Sequence, residues 1–452
     1  MLNRLIVYGK LHKVAAALVL ISIIFYYVFA YSLIRTNFTQ LLCLFTILFI
    51  LCYKIIQLEK WNFKFLIISG ILFRLLFLLA TPNLSQDFYR FIWDGELVSK
   101  FINPYLQVPD TLIIQKDLAI ANAQELYDGM GSLSARHFSN YPPVNQIIFA
   151  IAALFGGKSI FGSVLVMRIS IILADIGIVY FGKKLLQKLN KSPHLIFWYF
   201  LNPLVIIELT GNLHFEGVML FFFIWALYLL AIKNWKLAGI IYTFSIAVKL
   251  VPLIFLPLFL KHFSLKKSIL FYSIIGITSM VLIAPFFSLD FIANYSKTVG
   301  LWFSNFEFNA GFYNGIKHIA VLFDAKPWEL IKTYGKITPV ITILTVFLFT
   351  FLRKNQDLKT LFTSMLWILT IYYFLSATVH PWYIIFLIVL AIFSDYKFPI
   401  IWSATVILSY WAYANLKYEE HLGILALEYI LVYGYLIYEL ITFKNMKQKP
   451  SV

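Results

Sequence analysis

Charged residues are scarce in this sequence. Asp, Glu, Lys and Arg make up 13% of the 452 residues, and hydrophobic residues make up 61%. Soluble globular chains have about 25% charged and about 45–50% apolar residues, so the composition excludes a soluble globular fold. Apolar runs recur along the whole chain, and a run of about 20 residues can cross about 30 Å of hydrocarbon as a helix.

The sequence has only two cysteines, and its apolar runs show no regular alternation of apolar and polar residues. The two cysteines, Cys43 and Cys52, fall on one predicted helix, where a rise of about 1.5 Å per residue separates them by roughly 13 Å. That separation is too large for a disulfide. The apolar runs do not alternate with polar residues as the strands of a transmembrane barrel do. The sequence therefore predicts an all-α polytopic membrane protein.

The net charge of +16 comes from lysines and arginines that cluster in short connections between apolar runs. This pattern is typical of cytoplasmic loops, so we interpret the charge as a topology signal and predict no nucleic acid partner. The basic residues Arg4, Lys10 and Lys13 precede the apolar run 14–33. That run is too long for a signal peptide and lacks a small-residue cleavage site, so we interpret it as the first membrane helix.

We predict about 12–14 transmembrane helices with long non-cytoplasmic loops, in a single domain covering residues 1–452. The predicted spans are 14–33, 39–57, 64–81, 160–182, 194–209, 214–232, 236–248, 252–261, 268–287, 336–352, 358–376, 381–394, 399–414 and 421–441. Segment 252–261 is short, as half of a broken helix would be, and 145–156 is predicted to be re-entrant or interfacial. With these spans, the basic connections and both termini share the cytoplasmic side.

The opposite side then holds two long loops, 82–144 and 288–335, and loops of this length are usually functional. The first contains "SQDFYRFIWDGELVSKFINPY". If this stretch is helical, Asp87, Arg90 and Asp94 share one face, although Gly95 would also allow Asp94 to cap or end the helix. The alternative is an interfacial amphipathic helix with its charges in water.

Other distinctive polar residues fall in separate outward turns. "GNLHFEG" contains Asn212, His214 and Glu216, and "TVHPWY" contains His380. Lys249 lies within an apolar run, where a charge costs about 2.5–3.5 kcal/mol and indicates function unless the side chain reaches the interface. An ion pathway would spread such groups through the bilayer depth. A one-sided cluster instead favours a catalytic chamber at the outer interface, with carboxylates as general base and cations for a phosphate.

Five motifs in order carry a resemblance to a known family. They are "SQDFYRFIWDG…INPY", "YPPVNQIIFAIAALFG", "NPLVIIELTGNLHFEG", "AVKLVPLIFLPLF" and "VHPWYIIFLIVL". This sequence resembles the GT-C superfamily of membrane glycosyltransferases over most of residues 64–394. It is most similar to bacterial polyprenyl-phosphate-mannose-dependent mannosyltransferases and more loosely to the catalytic subunit of GPI mannosyltransferase I. Phe101 stands where relatives often have glycine, which puts the local backbone bend in doubt.

The resemblance implies a GT-C-like fold and an inverting transfer of a hexose, with mannose the expected sugar, from a polyprenyl-phosphate donor. The acceptor would be a hydroxyl of a glycan or lipid-linked molecule on the non-cytoplasmic face of a bacterial cell membrane. Asp87 maps to the catalytic base and Asp94 to the second aspartate of its loop. No cofactor is predicted, and the sequence leaves dependence on a divalent metal open. The expected substrate-binding residues are Arg90, Tyr105, Asn212, His214, Glu216, Lys249, His380 and Trp382.

Two other functions compete with this hypothesis. A transporter or flippase of a lipid-linked sugar would show two related halves with interrupted helices at matching positions. The sequence offers one interrupted pair, 236–248 with 252–261, and no matching pair. A non-catalytic membrane scaffold would leave Lys249 and the outward carboxylates without a reason.

Overall fold

The computed structural model describes residues 11–115 and 118–448, and this part of the chain is helical, with no β-strand. The basic residues Arg4, Lys10 and Lys449 lie outside the described residues. The main cluster of buried apolar side chains extends from Val19 to Leu436. The main helices are Lys13–Tyr31, Phe38–Leu58, Phe63–Leu76, Asp87–Ser99, Ala123–Ala135, Pro143–Phe155, Ile160–Lys188, Glu216–Ala231, Trp235–Val248, Leu265–Ile283, Leu289–Ser304, Gly311–Leu322, Pro327–Leu352, Leu358–Leu375, Ile384–Phe393, Phe398–Thr405 and Leu422–Gln448.

The all-α polytopic architecture is confirmed. Within the described residues, 7 helices are long and apolar enough to cross a membrane, or up to 8 if one bent pair is a single span. Several other predicted spans fall on shorter apolar helices of 10–17 residues. The count of 12–14 spans therefore stays a prediction. The long outward loops are themselves largely helical, and the helix containing the predicted span 336–352 begins earlier, at Pro327.

The predicted span at 194–209 falls on two helical arms that form a bent pair. Pro193–Phe200 and Pro203–Gly211 meet at an angle of 53°. Asn202 precedes a proline, which disfavours the α conformation, and it has φ −61° and ψ 126°. Its side-chain oxygen accepts a hydrogen bond from the Leu204 backbone nitrogen at 3.0 Å and caps the second arm. The second arm continues as a π-helical turn, Ile206–Gly211.

The predicted interruption before 252–261 is confirmed. The helix Trp235–Val248 ends at Lys249, which is extended with φ −147° and ψ 139°. The chain then forms the 3₁₀ segment Val251–Leu258, followed by the short helix Phe259–His262. Pro252 and Pro257 lack the backbone N–H that a regular helix needs, which accounts for the short, broken form.

Two buried arginines hold the bent segments in place. Arg74 pairs with Asp175, Nε to Oδ2, at 2.8 Å, and both side chains are fully buried. The Arg168 guanidinium donates to the backbone oxygens of Thr210 at 2.8 Å and Ala80 at 2.7 Å. Arg168 thereby ties the π-helical turn to the segment that leads into the helix Asp87–Ser99. Both arginines lie within predicted spans, and sequence reasoning did not single them out.

Lysines from two basic connections pair with one carboxylate in a third connection. Lys191 Nζ lies 3.0 Å from Asp395 Oδ1, and Lys359 Nζ lies 2.9 Å from Asp395 Oδ2. These residues come from connections that the sequence assigns to the same membrane side. Their meeting at one end of the helices is consistent with the predicted sidedness.

Candidate active site

The stretch that contains Asp87, Arg90 and Asp94 is helical, as the helix Asp87–Ser99, here called the site helix. Gly95 lies inside it, where a Cβ atom would stand 2.2 Å from the Phe149 backbone oxygen. Asp94 therefore does not end the helix, and the alternative that Gly95 left open is excluded. The bend after the helix occurs with Phe101 at φ 60°, the left-handed conformation that glycine adopts most readily.

Asp87 occupies the first turn of the site helix, where the helix dipole favours a carboxylate. Its side chain is half-buried, and its backbone N–H donates to Ser85 Oγ at 3.3 Å. Among the described residues, no cationic nitrogen lies within the 4.0 Å ion-pair distance of its carboxylate. Burial raises the pKa of the Asp87 carboxyl, and the Lys249 charge partly opposes that rise. Asp87 is thus an unpaired carboxylate in a charged setting.

Lys249 and Glu216 form an ion pair beside Asp87. Glu216 begins the helix Glu216–Ala231, and the extended backbone at Lys249 ends the next helix, Trp235–Val248. The Glu216 carboxylate is buried, and its second oxygen, Oε2, has no hydrogen-bond partner in the described part of the chain. The start of one helix at Glu216 and the end of the next at Lys249 therefore place opposite charges next to each other.

Asn212 positions the loop that carries Asp87. Its Oδ1 accepts a hydrogen bond from the Leu84 backbone nitrogen at 2.8 Å, and its Nδ2 donates to the Ile207 oxygen at 3.0 Å. Asn212 is fully buried. The structure therefore gives Asn212 a role in orienting the loop that carries Asp87.

His214, Trp382 and His380 form a continuous ring stack. The Trp382 centroid lies 3.7 Å from that of His214 and 4.4 Å from that of His380, with interplanar angles of 17° and 5°. Phe308 covers His380 at 4.9 Å. Trp382 therefore joins the turn that carries His214 to the turn that carries His380.

Burial favours the neutral form of His380. It lowers the pKa of His380 to about 3, and the Lys249 charge acts in the same direction. His380 can therefore offer an anion a hydrogen bond but not a positive charge. His214 Nε2 and His380 Nδ1 are buried and lack hydrogen-bond partners among the described residues, and buried polar atoms are usually hydrogen-bonded.

Asp94 sits in a satisfied polar network, about 10 Å along the helix from Asp87. Its Oδ1 accepts from Arg90 Nε at 2.8 Å, and its Oδ2 accepts from Ser139 Oγ at 2.5 Å and Gln146 Nε2 at 3.1 Å. Arg90 also donates to the Ser134 oxygen at 2.7 Å. Both side chains are buried, so the interpretation of these charges as lying in water is wrong. The network directs Arg90 to Asp94 and leaves Asp94 no free oxygen.

Tyr105 lies in a separate apolar cluster with Phe286 and Phe291. Its hydroxyl donates to the Tyr141 backbone oxygen at 2.5 Å. The structure thus gives Tyr105 a packing role.

The expected cavity around the predicted site residues stays a prediction. An apolar groove of about 290 Å³ lies between the helices Gly311–Leu322, Pro327–Leu352 and Leu358–Leu375, and none of the predicted site residues lines it. Its wall ends at Leu375, just before the loop that carries His380.

The structure adds two residues that sequence reasoning missed. Glu208 Oε2 lies 3.5 Å from His214 Nε2, and its Oε1 accepts from Tyr410 at 2.7 Å. Arg35 donates to the Leu84 backbone oxygen at 3.0 Å and, with Lys249, acts electrostatically on Asp87. Glu208 could have been found as an acid within an apolar run. In the described residues, no group of three or more His, Cys, Asp or Glu is placed to hold a metal ion.

Comparison with known proteins identifies related chains. The model of the family described as "Alpha-(1->6)-mannopyranosyltransferase, N-terminal domain" matches residues 8–263, more than half of the chain. Alpha-(1->6)-mannopyranosyltransferase A of Mycobacterium tuberculosis is 24% identical over 226 residues, which cover 48% of this chain and 42% of that protein. Alpha-(1->6)-mannopyranosyltransferase B of Corynebacterium glutamicum is 27% identical over 146 residues, which cover 32% and 23%. The matched region thus spans less than half the length of either curated relative.

Proposed function

This chain belongs to the alpha-(1->6)-mannopyranosyltransferase family, and from that premise we propose that it transfers mannose from a polyprenyl-phosphate donor to an acceptor hydroxyl at the outer membrane face. The acceptor is a glycan or a lipid-linked glycan, and the bilayer holds the donor's tail. The continuous apolar core supports one catalytic domain. The family name and the relatives' names support mannose as the sugar.

One observation carries the proposal: Asp87 is an unpaired, half-buried carboxylate on which Lys249 and Glu216 act electrostatically, and the same Lys249 charge acts on His214 and His380 of the ring stack. Asp94 has no free oxygen, which supports Asp87 as the base. These groups come from segments far apart in sequence. Such convergence of titratable groups is typical of a catalytic site.

In the proposed reaction, Asp87 takes the proton of the acceptor hydroxyl while that oxygen attacks the anomeric carbon. The bond from the anomeric carbon to the donor's phosphate oxygen breaks, and its electron pair stays on the phosphate. Lys249 stabilises the charge that develops there, and His380 contributes a hydrogen bond. A single displacement inverts the anomeric centre. An α-linked product, as in the relatives' names, would then require a β-linked donor.

Incubation of the purified full chain with labelled polyprenyl-phosphate mannose, or with labelled nucleotide-linked mannose, tests the proposed function. We expect label in a mannan acceptor, and release of polyprenyl phosphate, with the lipid-linked donor alone. Label that crosses a proteoliposome membrane while still attached to its lipid would instead indicate a transporter.

The pH profile should reflect Asp87. Because its pKa is raised, transfer should fall on the acid side at a higher pH than an ordinary aspartate would give. Lys249 lowers that pKa and Glu216 raises it, so Lys249→Gln should move the acid limb to still higher pH. Lys326→Gln, at an exposed lysine near Glu329, is the control and should leave the limb in place. An acid limb that Lys249→Gln moves to lower pH would contradict the assignment.

The proposed orientation places the site outside the cell, with both termini in the cytoplasm of a bacterial cell. Cysteines introduced at exposed Asp128 and Lys188, in a Cys43→Ser, Cys52→Ser background, report on the two sides. An impermeant maleimide applied to intact cells should label position 128 alone. Equal labelling at both positions would contradict this topology.

A further inference from the structure

Arg35 is fixed at the edge of the candidate active site. It lies between the helices Lys13–Tyr31 and Phe38–Leu58. One terminal nitrogen donates to the Leu84 backbone oxygen at 3.0 Å, and the guanidinium carbon lies 4.3 Å from the Tyr413 ring centroid. Leu84 precedes Asp87 by three residues. The carbonyl and the ring together restrict the orientation of the guanidinium fork.

Arg35 and Lys249 differ in how their charges are balanced. Lys249 pairs with Glu216, whereas no carboxylate oxygen within the described ranges lies inside the 4.0 Å ion-pair distance of Arg35. A guanidinium carries five N–H donors, and the Leu84 oxygen takes one of them. The Arg35 side chain is half-buried. Arg35 therefore brings an unneutralised charge and spare donors to the neighbourhood of Asp87.

We infer that Arg35 binds the phosphate of the polyprenyl-phosphate donor, an inference that rests on the proposed function. A guanidinium fork matches phosphate oxygens in two parallel hydrogen bonds, which an ammonium group cannot do. The donor's phosphodiester carries one negative charge, and the released polyprenyl phosphate is a monoester that can carry two. Arg35 should therefore hold the leaving group more strongly as the sugar departs, which lowers the barrier.

Two binding measurements on the purified full chain in nanodiscs separate recognition of the phosphate charge from recognition of the tail. One uses a short-chain polyprenyl phosphate, and the other uses the matching polyprenol, which lacks the phosphate. Arg35→Ala should weaken binding of the phosphate about 10- to 100-fold and leave the polyprenol unaffected. Arg35→Lys keeps the positive charge without the guanidinium fork, so its affinity for polyprenyl phosphate should lie between those of the wild type and Arg35→Ala. Arg136→Ala removes an exposed arginine 3.9 Å from Asp110 and should match the wild type.

Unchanged binding of polyprenyl phosphate by Arg35→Ala would overturn the inference. Equal weakening of both ligands would also overturn it, because Arg35 would then only hold the Leu84 segment. The proposed function can fail separately. If polyprenyl phosphate binds in an Arg35-dependent way and no mannose is transferred, the phosphate site stands and the transferase proposal fails. If mannose is transferred and Arg35→Ala binds polyprenyl phosphate normally, the transferase proposal stands and the phosphate site at Arg35 fails.

Discussion

Asp87→Asn should lower mannose transfer by about 10²- to 10⁴-fold, the usual contribution of a general base, while the protein stays folded. The substitution is nearly isosteric, and among the described residues the Asp87 carboxylate makes no ion pair whose loss would destabilise the chain. Donor binding should be largely kept, because the proposed phosphate contacts come from Arg35 and Lys249. Transfer rate, donor affinity and thermal unfolding are measured on the same preparation.

The matched comparison for Asp87→Asn is Asp87→Glu, which keeps a carboxylate and displaces it by one methylene. We expect Asp87→Glu to retain more transfer than Asp87→Asn. Near-normal turnover in Asp87→Asn would show that Asp87 is not the base, and it would favour the transporter hypothesis if Asp94→Asn were also active.

Asp94→Asn should lower the free energy of unfolding by about 3–5 kcal/mol, the usual cost of removing one partner of a buried ion pair. In one amide orientation the NH₂ group faces the donors of Ser139 and Gln146, and in the other it faces Arg90 Nε. Either way, a donor meets a donor. The change should be visible as a lower unfolding temperature in detergent, followed by tryptophan fluorescence.

The control for Asp94→Asn is Asp128→Asn, at an exposed aspartate of the same loop whose carboxylate accepts from Gln124 at 3.0 Å. Exposed pairs contribute about 0–1 kcal/mol, so its unfolding temperature should hardly move. The fraction of Asp94→Asn protein that remains folded should still bind the donor and transfer mannose. If Asp94→Asn were fully stable but inactive, Asp94 would be the base and Asp87 would have the structural role.

Local patterns in the sequence account for much of this architecture. Apolar run lengths predict the long helices, and the spacing of Asp87, Arg90 and Asp94 predicts the shared face of the site helix. Pro252 makes the interruption at Lys249 predictable. The break at Asn202–Pro203 carries an equally clear proline signal, but the apolar run continues through it, so hydropathy alone masks it.

The remaining features depend on contacts between distant segments. The stack of His214 on Trp382 joins residues far apart in the chain, and nothing in either motif gives the distance. The spacing of Arg90 and Asp94 allows an ion pair but does not show its burial, which comes from Ser139 and Gln146 of another segment. Arg35 lies before the second helix and reaches the site only through Leu84 and Tyr413.

A single-turnover experiment tests the central claim, base-assisted inversion at Asp87, most directly. Protein loaded with β-linked polyprenyl-phosphate mannose is mixed rapidly with acceptor, and the linkage of the product is determined by NMR. The wild type should give an α-linked product, and Asp87→Asn should retain its bound donor unconsumed. A β-linked product would indicate two displacements and would contradict the account. An α-linked product formed by Asp87→Asn at the wild-type rate would also contradict it.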